Sequence, residues 1–589
     1  MTPVPGIGNW AARAYETLCQ PPGASRRVRD LMQCSPNPRL ILWRSLLTMV
    51  ACAFVACSGN GSSGSAPAGG SPTPPGPSPT PPGPQPTDVL TWHNDAARTG
   101  QYLVEMALTP ATVNTANFGR KAMWPVDGLV NAQPLYGSAV SLPDGSVHNV
   151  VIAATEHDSV YAFEADTGGV LWQKSMLGAG ESTSDPRGCS QVTPEIGVTA
   201  TPAIDRALGA NGTVFVAAMS KNSAGQYFQR IHALDLATGA ERSGSPVAVQ
   251  ATYPGTGANS ANGVVTFDPA AYNERAALLI SGGVLYTAWG SHCDADPYTG
   301  WIVSYDEATL ARSSVLNVTP NGNRGAFWNS GAGPALDAGG SLYVLAGNGT
   351  FDTTLTASGF PSSGDFGNGF LKVATVGQLS VADYFATFDT VAQSNGDSDL
   401  GSGGAMVLPD QMDASGATRH LAVGAGKDTN IYLVDRDSMG KFDPAANHAY
   451  QVVGGALGIG GVFSSPAYFN GAIYYGASDA PLQRFVLTAA RLAPTAASRS
   501  SISFAFPGTT PSLSANGTSG AIVWAVENGS PSVLHAYDAS DLTRELYNSS
   551  QNAARDSLGP GNKFITPTVA AGKVLVGTTN SVAVFGLLH

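Results

Sequence analysis

Apolar and polar positions recur in one pattern from about residue 89 to the C-terminus. Each copy has an apolar strand, a short polar loop, a second strand that ends in an acidic residue, and a turn with Thr-Gly or an equivalent pair. The clearest copies span 151–172, 214–241, 284–311, 421–442 and 522–543. Repetition over hundreds of residues is typical of folds built from copies of one unit. The pattern therefore predicts a repeat fold made of β-strands.

A second kind of strand, with small residues and often proline, precedes the copies. These strands span 131–137, 199–205, 330–337, 401–410, 464–471, 509–517 and 565–574. They suit the innermost position of a blade, where backbones converge on a central channel and bulky side chains do not fit. Together with a degenerate unit near 275–282, they predict an all-β fold. We expect a single β-propeller of eight four-stranded blades, with seven blades as the alternative.

The last unit, which begins at 565, contains only three strands. An open sheet edge invites pairing with other chains. We expect its missing outer strand to come from the start of the domain, at 118–127, so that the N-terminal strand closes the ring.

Residues 1–56 have a different character. Arginines precede an apolar run of about a dozen residues, too short for a comfortable membrane span. The run ends in 54–57 (FVAC), which resembles a bacterial lipobox, the motif whose cysteine becomes lipidated. We predict a lipoprotein signal peptide over 1–56 with the lipid on Cys57. An ordinary signal peptide, or a lipid on Cys52, is the alternative.

Residues 57–87 are rich in Gly and Ser and then in Pro. Such segments are flexible and extended, respectively, so we expect a tether that holds the propeller, 88–589, away from a membrane. Ser58 follows the lipidated cysteine, which resembles lipoproteins of the outer membrane. The chain is thus expected to cross the inner membrane and to be anchored at the outer membrane, facing the periplasm or the exterior.

The charge of the chain excludes one class of partner. The formal net charge is −12, and only 12% of the residues are charged. An acidic surface without a stripe of Lys and Arg repels the phosphates of nucleic acids. We therefore expect no nucleic acid partner, and we expect a monomer.

Three stretches carry a family resemblance. They are 159–168 (SVYAFEADTG) with 171–172 (LW), 231–235 (IHALD) with 238–239 (TG), and 92–100 (WHNDAARTG). These stretches resemble the quinoprotein-like, or PQQ-binding-like, propeller superfamily of bacterial proteins. The resemblance implies the fold but no single function, since the superfamily includes alcohol dehydrogenases and non-catalytic outer-membrane lipoproteins. The repeat motif itself has a structural explanation, because the acid caps a turn, the glycine supplies a positive φ, and the Trp packs between blades.

The dehydrogenases of this superfamily imply PQQ, Ca²⁺ held by oxygen ligands and a catalytic Asp, often with a ring of adjacent cysteines against the cofactor. This chain has no Cys-Cys pair and no C-x-x-C-H haem motif. Some quinoproteins lack the adjacent pair, so PQQ with Ca²⁺ stays open. We predict a binding or scaffolding module for an envelope protein or glycan. A PQQ-dependent oxidoreductase of alcohols or sugars is the alternative.

Candidate binding residues follow from the geometry of propellers, in which the loops that enter the inner strands share a face with those that join the second and third strands. The polar residues in these loops are Glu156, His157, Asp158, Glu195, His292, Asp294, Asn348, Asp399, Lys427 and Asp428. Such a mouth could hold an anion, a metal or a sugar, but the histidines lack metal-type spacing, and we name no metal ligand. Cys189 and Cys293 lie in loops of the same face, and an oxidising compartment would permit a disulfide between them.

Overall fold

The computed structural model describes residues 87–588. The predicted signal peptide, the lipidated Cys57 and all of the predicted tether except Thr87 lie outside the described residues. None of the helices within 87–588 has the length and apolar character of a membrane span.

The strands of residues 87–588 assemble around eight antiparallel runs of four, here numbered blades 1 to 8 in the order of their first strands. The strands of blades 1 to 4 are Leu135–Ser141, Val147–Ala154, Ser159–Glu164 and Val170–Ser175; Ala203–Asp205, Thr213–Asn222, Tyr227–Asp235 and Val247–Ala248; Leu279–Ser281, Val284–Ala288, Trp301–Asp306 and Arg312–Asn317; and Ala335–Leu336, Leu342–Leu345, Phe370–Ala374 and Ser380–Phe385. The strands of blades 5 to 8 are Met406–Val407, Leu421–Ala425, Ile431–Asp435 and Gln451–Val453; Ala467–Phe469, Ala472–Tyr475, Ala480–Thr488 and Ser498–Phe504; Ser512–Asn516, Ser519–Glu527, Val533–Asp538 and Glu545–Asn548; and Thr568–Ala570, Lys573–Gly577, Ser581–Leu587 and Phe118–Pro125.

Shorter elements add to the blades. The additional strands are Gln101–Tyr102, Glu181–Thr183, Thr252–Pro254, Ser260–Ala261, Val264–Thr266, Tyr272–Asn273, Gly290–Ser291, Gln411–Met412, Thr418–Arg419 and Arg491–Leu492. The helices are Thr390–Asn395 and Ala553–Asp556, with 3₁₀ turns at Pro269–Ala271, Asn329–Gly331, Leu400–Ser402 and Ser549–Asn552.

The start of the domain completes blade 8. Phe118–Pro125 pairs antiparallel with Ser581–Leu587, the last strand of the chain. The outer strand predicted over 118–127 is therefore present, and it covers the edge that the three-stranded last unit would expose. A backbone ladder joins the two ends of the ring.

The hydrophobic core lies between neighbouring blades. Phe215 of blade 2 and Trp301 of blade 3 belong to one buried cluster, and Tyr343 of blade 4 and Tyr432 of blade 5 belong to another. Because each blade buries both faces against its neighbours, its middle strands are almost continuously apolar.

The repeat motif has the structural role that the sequence indicated. Asp235 Oδ1 accepts hydrogen bonds from the backbone N–H and the hydroxyl of Thr238 at 3.0 and 2.9 Å. Glu164 accepts the equivalent pair from Thr167 at 2.6 and 2.7 Å. These carboxylates cap the turn after the third strand.

Two tryptophans lock consecutive blades together. Trp124 on the closing strand of blade 8 lies against Gly168 in the Thr-Gly turn of blade 1, where an added Cβ would approach the indole nitrogen to 2.0 Å. Trp172 of blade 1 donates from Nε1 to the carbonyl of Leu236 in blade 2 at 3.0 Å and covers Gly239. Each glycine thus provides both a positive φ and the space for the ring of the preceding blade.

Residues 89–104, here named the plug segment, contact the first strands of the blades in turn. Backbone N–H groups of the blades that donate to carbonyls of the plug segment belong to Tyr136, Ile204, Leu336, Val407, Tyr468 and Leu513, at 2.7 to 3.0 Å. These six donors come from blades 1, 2, 4, 5, 6 and 7. The plug segment therefore ties most of the ring together from inside.

Arg98 anchors the plug segment through a fully buried guanidinium. It donates to the carbonyls of Pro334, Trp92 and Leu278 at 2.9, 2.8 and 3.2 Å, and to the Thr91 hydroxyl at 2.7 Å. Oxygen atoms of the chain itself therefore accept the hydrogen bonds of this charged group.

We expect Gly168→Ala to destabilise the protein more than Gly180→Ala. Both glycines have a φ near +75°, so both substitutions carry the left-handed penalty of about 1 kcal/mol. An added Cβ meets nothing within 4 Å at Gly180 but overlaps Trp124 at Gly168, which adds about 1–3 kcal/mol. Urea unfolding of both variants measures the difference, and equal losses would contradict the role of the Trp124 contact.

We expect Arg98→Met to lower the free energy of unfolding by about 3 kcal/mol or more, because it leaves several buried carbonyls without donors. Arg324→Met, which removes an ion pair with Asp296 whose side chains are 40% and 44% exposed, should cost about 1 kcal/mol or less. Chemical denaturation monitored by tryptophan fluorescence compares the two. A similar small loss in both variants would show that the plug segment is not held by Arg98.

Candidate functional site

A cleft of about 90 Å³ opens among the loops that the sequence placed on one face. Its lining residues precede the first strands of blades 2 to 8 or join the second and third strands of blades 3 and 5. They are Gln191, Arg275, Asp294, Trp328, Ser330, Asp399, Ser402, Lys427, Phe463, Phe506 and Phe564. Because seven blades contribute, the cleft lies where their loops converge.

A charged centre occupies one side of the cleft. The ammonium of Lys427 lies 2.7 Å from Asp399 Oδ1 and 2.5 Å from Asp397 Oδ1. Burial raises the pKa of Asp399 to about 6, against the opposing effect of Lys427. Burial lowers the pKa of Lys427, but the two carboxylates raise it by more, so the ammonium stays charged.

Aromatic rings make up much of the remaining lining, and the centre of the Phe463 ring lies 5.9 Å from the ammonium of Lys427. The ring centre of Phe506 lies 5.0 Å from that of Phe463 and 6.4 Å from that of Phe564, both edge-on. The guanidinium carbon of Arg275 lies 4.4 Å from the centre of the Phe564 ring and 5.4 Å from that of Trp328. Aromatic faces and cations therefore alternate around the cleft.

Three of the ten predicted polar residues line the cleft, namely Asp294, Asp399 and Lys427. Asp294 accepts hydrogen bonds from the hydroxyls of Tyr298 and Ser291. Asn348 lies behind the charged centre, where its side-chain amide donates to Asp397 Oδ1 at 2.7 Å. Position in the loops was therefore sufficient to find the charged centre.

The predicted residues of blades 1 and 2 do not line the cleft. Glu156 is fully buried and accepts from Asn131, from the Gly197 N–H and from Thr199 at 2.5 to 2.9 Å. Burial raises its pKa to about 6. His157 Nδ1 lies 3.0 Å from Glu195 Oε1, so these two residues pair with each other.

The remaining three predicted residues also lie outside the cleft lining. Asp158 is buried, and neither of its carboxylate oxygens has a hydrogen-bond partner within residues 87–588. Burial together with the charge of Glu156 raises the pKa of Asp158 well above the usual range. His292 Nε2 lies 2.9 Å from the carbonyl of Pro186. Asp428 accepts from Asn430 and Tyr432 and does not line the cleft.

A disulfide joins two of the cleft loops. Cys189 and Cys293 are 104 residues apart, and their Cα atoms are 5.7 Å apart in the bond. Gln191 and Asp294, which line the cleft, are close neighbours of the two cysteines in the sequence. The bond therefore fixes the loop before blade 2 against the loop within blade 3.

The sequence reasoning missed the aromatic residues and Arg275. Phe463, Phe506, Phe564 and Trp328 each precede, by three to six residues, the proline before the first strand of a blade. An aromatic residue at this position recurs in four blades, and this recurrence was the available signal. It was missed because an apolar residue beside a strand is usually part of the core.

No protein-family model and no curated protein matches the sequence. Among solved structures, a quinohemoprotein alcohol dehydrogenase from Pseudomonas putida HK5 is similar with a TM-score of 0.57 and 11% identity, over 85% of this chain and 80% of that one. One from Comamonas testosteroni gives a TM-score of 0.53 and 14% identity over the same shares. A europium-containing methanol dehydrogenase gives a TM-score of 0.54 and 12% identity, over 85% of this chain and 98% of that one. The predicted all-β propeller fold is thereby confirmed, and at these identities the likeness extends to the fold alone.

We expect the protein to become more stable as the pH falls from 7.5 to 5. Glu156 has a pKa of about 6 in the folded state against an ordinary value of 4.5, so the folded state binds the proton more tightly. Stability is therefore gained as the pH falls through the higher pKa. Glu156→Gln should remove about 1 kcal/mol of this gain.

Asp144→Asn is the matched control, because the Ser146 hydroxyl lowers the pKa of the exposed Asp144 and keeps its titration below this range. Urea unfolding at a series of pH values measures both slopes. A pH profile of Glu156→Gln that coincides with that of the unsubstituted protein would contradict the buried proton on Glu156.

Proposed function

We propose that the cleft binds a planar quinone of the PQQ type and that the chain is an oxidoreductase of alcohols or sugars. The observation that carries the proposal is a buried carboxylate, Asp399, held against Lys427 in a cleft that aromatic rings also line. A buried carboxylate with a raised pKa in a cleft is a common feature of general bases.

The side chains of the cleft fit a planar, acidic ring system. The partly exposed rings of Trp328 and Phe463 offer apolar faces, and Arg275 offers positive charge. The cleft itself holds about 90 Å³, less than the roughly 300–1,000 Å³ of small-molecule sites, so the quinone would extend beyond the cleft mouth.

The same side chains do not fit a divalent cation. Asp399 is engaged by Lys427, and Asp294 by Tyr298. Within residues 87–588, no three His, Cys, Asp or Glu side chains are grouped so that they could hold a metal ion. The proposal therefore contains the quinone without Ca²⁺, in contrast to the cofactor pair that the family resemblance implied.

When bound, the quinone supplies the oxidising power, by accepting two electrons from the substrate carbon. Asp399 accepts the proton of the substrate hydroxyl, since its pKa of about 6 leaves it largely ionised at neutral pH. Lys427 holds the Asp399 side chain in place and balances its charge. The aromatic rings define the walls against which the substrate is oriented, and the disulfide fixes two of the loops that carry the cleft residues.

The non-catalytic binding module expected from the sequence gains no support from the solved structures, whose names describe dehydrogenases. The lipid anchor at Cys57 and the outer-membrane location remain proposals, since they depend on residues outside the described range. An anchored oxidoreductase would oxidise its substrate within the cell envelope.

We expect the purified protein to bind PQQ, with quenching of tryptophan fluorescence, and to reduce a dye with alcohols or sugars. Asp399→Asn should keep most of the binding but lower turnover about 10²–10⁴-fold, because the base is lost. Asp428→Asn is the matched control, since burial raises the pKa of Asp428 as well but its side chain lies outside the cleft. Turnover of the unsubstituted protein should rise as the pH increases through about 6.

Absence of PQQ binding, measured calorimetrically both with Ca²⁺ and with a chelator, would overturn the proposal. Binding without dye reduction on any alcohol or sugar would reduce it to a quinone-binding function. Equal turnover of Asp399→Asn and Asp428→Asn would show that Asp399 is not the base.

A further inference from the structure

Arg275 is a charged residue with very little exposure to solvent. It is 5% exposed and precedes the first strand of blade 3. It lines the cleft and also a smaller inner cavity of about 20 Å³, which Trp92 of the plug segment lines as well. Arg275 thus lies between the open cleft and the interior of the ring.

The guanidinium of Arg275 has no polar partner within residues 87–588. No hydrogen bond and no ion pair involves it, and its close contacts are the faces of Phe564 and Trp328. Glu156 acts on it only at longer range, with no ion pair within 4.0 Å, and the Glu156 carboxylate already accepts three hydrogen bonds. A buried cation without such partners is strongly unfavourable.

A second cation lies nearby. Lys563 donates to the carbonyl of Ser190 at 3.1 Å and lies 5.7 Å from the centre of the Phe506 ring. It also lacks an ion pair within residues 87–588, and burial together with the charge of Arg275 lowers its pKa. An anion close to both cations would stabilise their charged forms.

The inner cavity contains a hydroxyl with a free hydrogen. The hydroxyl of Thr201, which lines the cavity, accepts from the Gln133 backbone N–H at 2.8 Å, so its own hydrogen is free to be donated. An anion oxygen would satisfy such a donor.

We propose that Arg275 and Lys563 form a binding site for the oxyanion group of a small ligand, a phosphate or a carboxylate. The planar guanidinium can donate two parallel hydrogen bonds to either group. Because aromatic rings lie against its faces, the N–H groups along its edge are the part left to bind an anion. The site goes beyond the quinone function and does not depend on it, because it requires neither PQQ nor Asp399.

The test titrates the purified protein with inorganic phosphate and, separately, with acetate, in the absence of PQQ. We expect phosphate, acetate or both to bind and to raise the melting temperature. Arg275→Gln should weaken binding at least tenfold, Arg275→Lys less, and Lys563→Gln several-fold. Without an anion, Arg275→Gln should melt no lower than the unsubstituted protein, because the substitution removes an uncompensated buried charge.

Arg324→Gln is the matched control, since Arg324 lies in the loop before blade 4 with Asp296 as its partner at 2.6 Å. It should leave anion binding unchanged. Tighter binding of phosphate or of acetate identifies which oxyanion the site prefers. Binding of neither anion, or unchanged affinity in Arg275→Gln, would overturn the site, whereas the quinone proposal is judged by the separate PQQ titration.

Discussion

A ring of sheets holds its loops in register only if the ring is closed, and in this chain closure rests on the N-terminal 40 residues of the described range. Phe118–Pro125 supplies the outer strand of blade 8, and the plug segment, 89–104, binds the first strands of six blades. The cleft consists of loops from seven blades, so no local segment can form it alone. Its geometry exists because contacts of very long sequence separation bring the two ends together.

Two buried arginines illustrate how the same side chain can be structural or functional. Arg98 donates four hydrogen bonds to carbonyl and hydroxyl oxygens of the chain. These bonds offset the free-energy cost of removing the guanidinium from water. Arg275 is nearly as buried, at 5% exposure against 0% for Arg98, but has no such bonds within residues 87–588. A fold selected only for stability would favour an apolar residue at such a position, so the absence of partners is itself the argument for a ligand.

The fold could be predicted to the level of single strands because its signals are local. Thr238 and Gly239 make a turn that requires them, and the first strands begin directly after prolines such as Pro466 and Pro511, which cannot donate to a ladder. The cleft could be predicted only in part. Lys427 and Asp399 were found from their place in the loops. Glu156 was expected at the mouth, but its carboxylate instead accepts hydrogen bonds from its own blade and from the loop before the next one. Which polar residue meets solvent depends on loop packing, and the repeat pattern carries no information about that.

The charge of the chain determines how the cleft can recognise an anion. A net charge of −12 repels small anions at long range, so attraction must arise at short range. Burial supplies it, because an interaction between charges is several times stronger at low dielectric than in water. Lys427 keeps its two carboxylates and contributes little net charge, whereas Arg275 and Lys563 have no such compensation in the described chain. The uncompensated positive charge of the cleft therefore lies at Arg275, against the faces of Phe564 and Trp328. A bound anion is attracted by this charge, while the Asp399 carboxylate stays paired with Lys427.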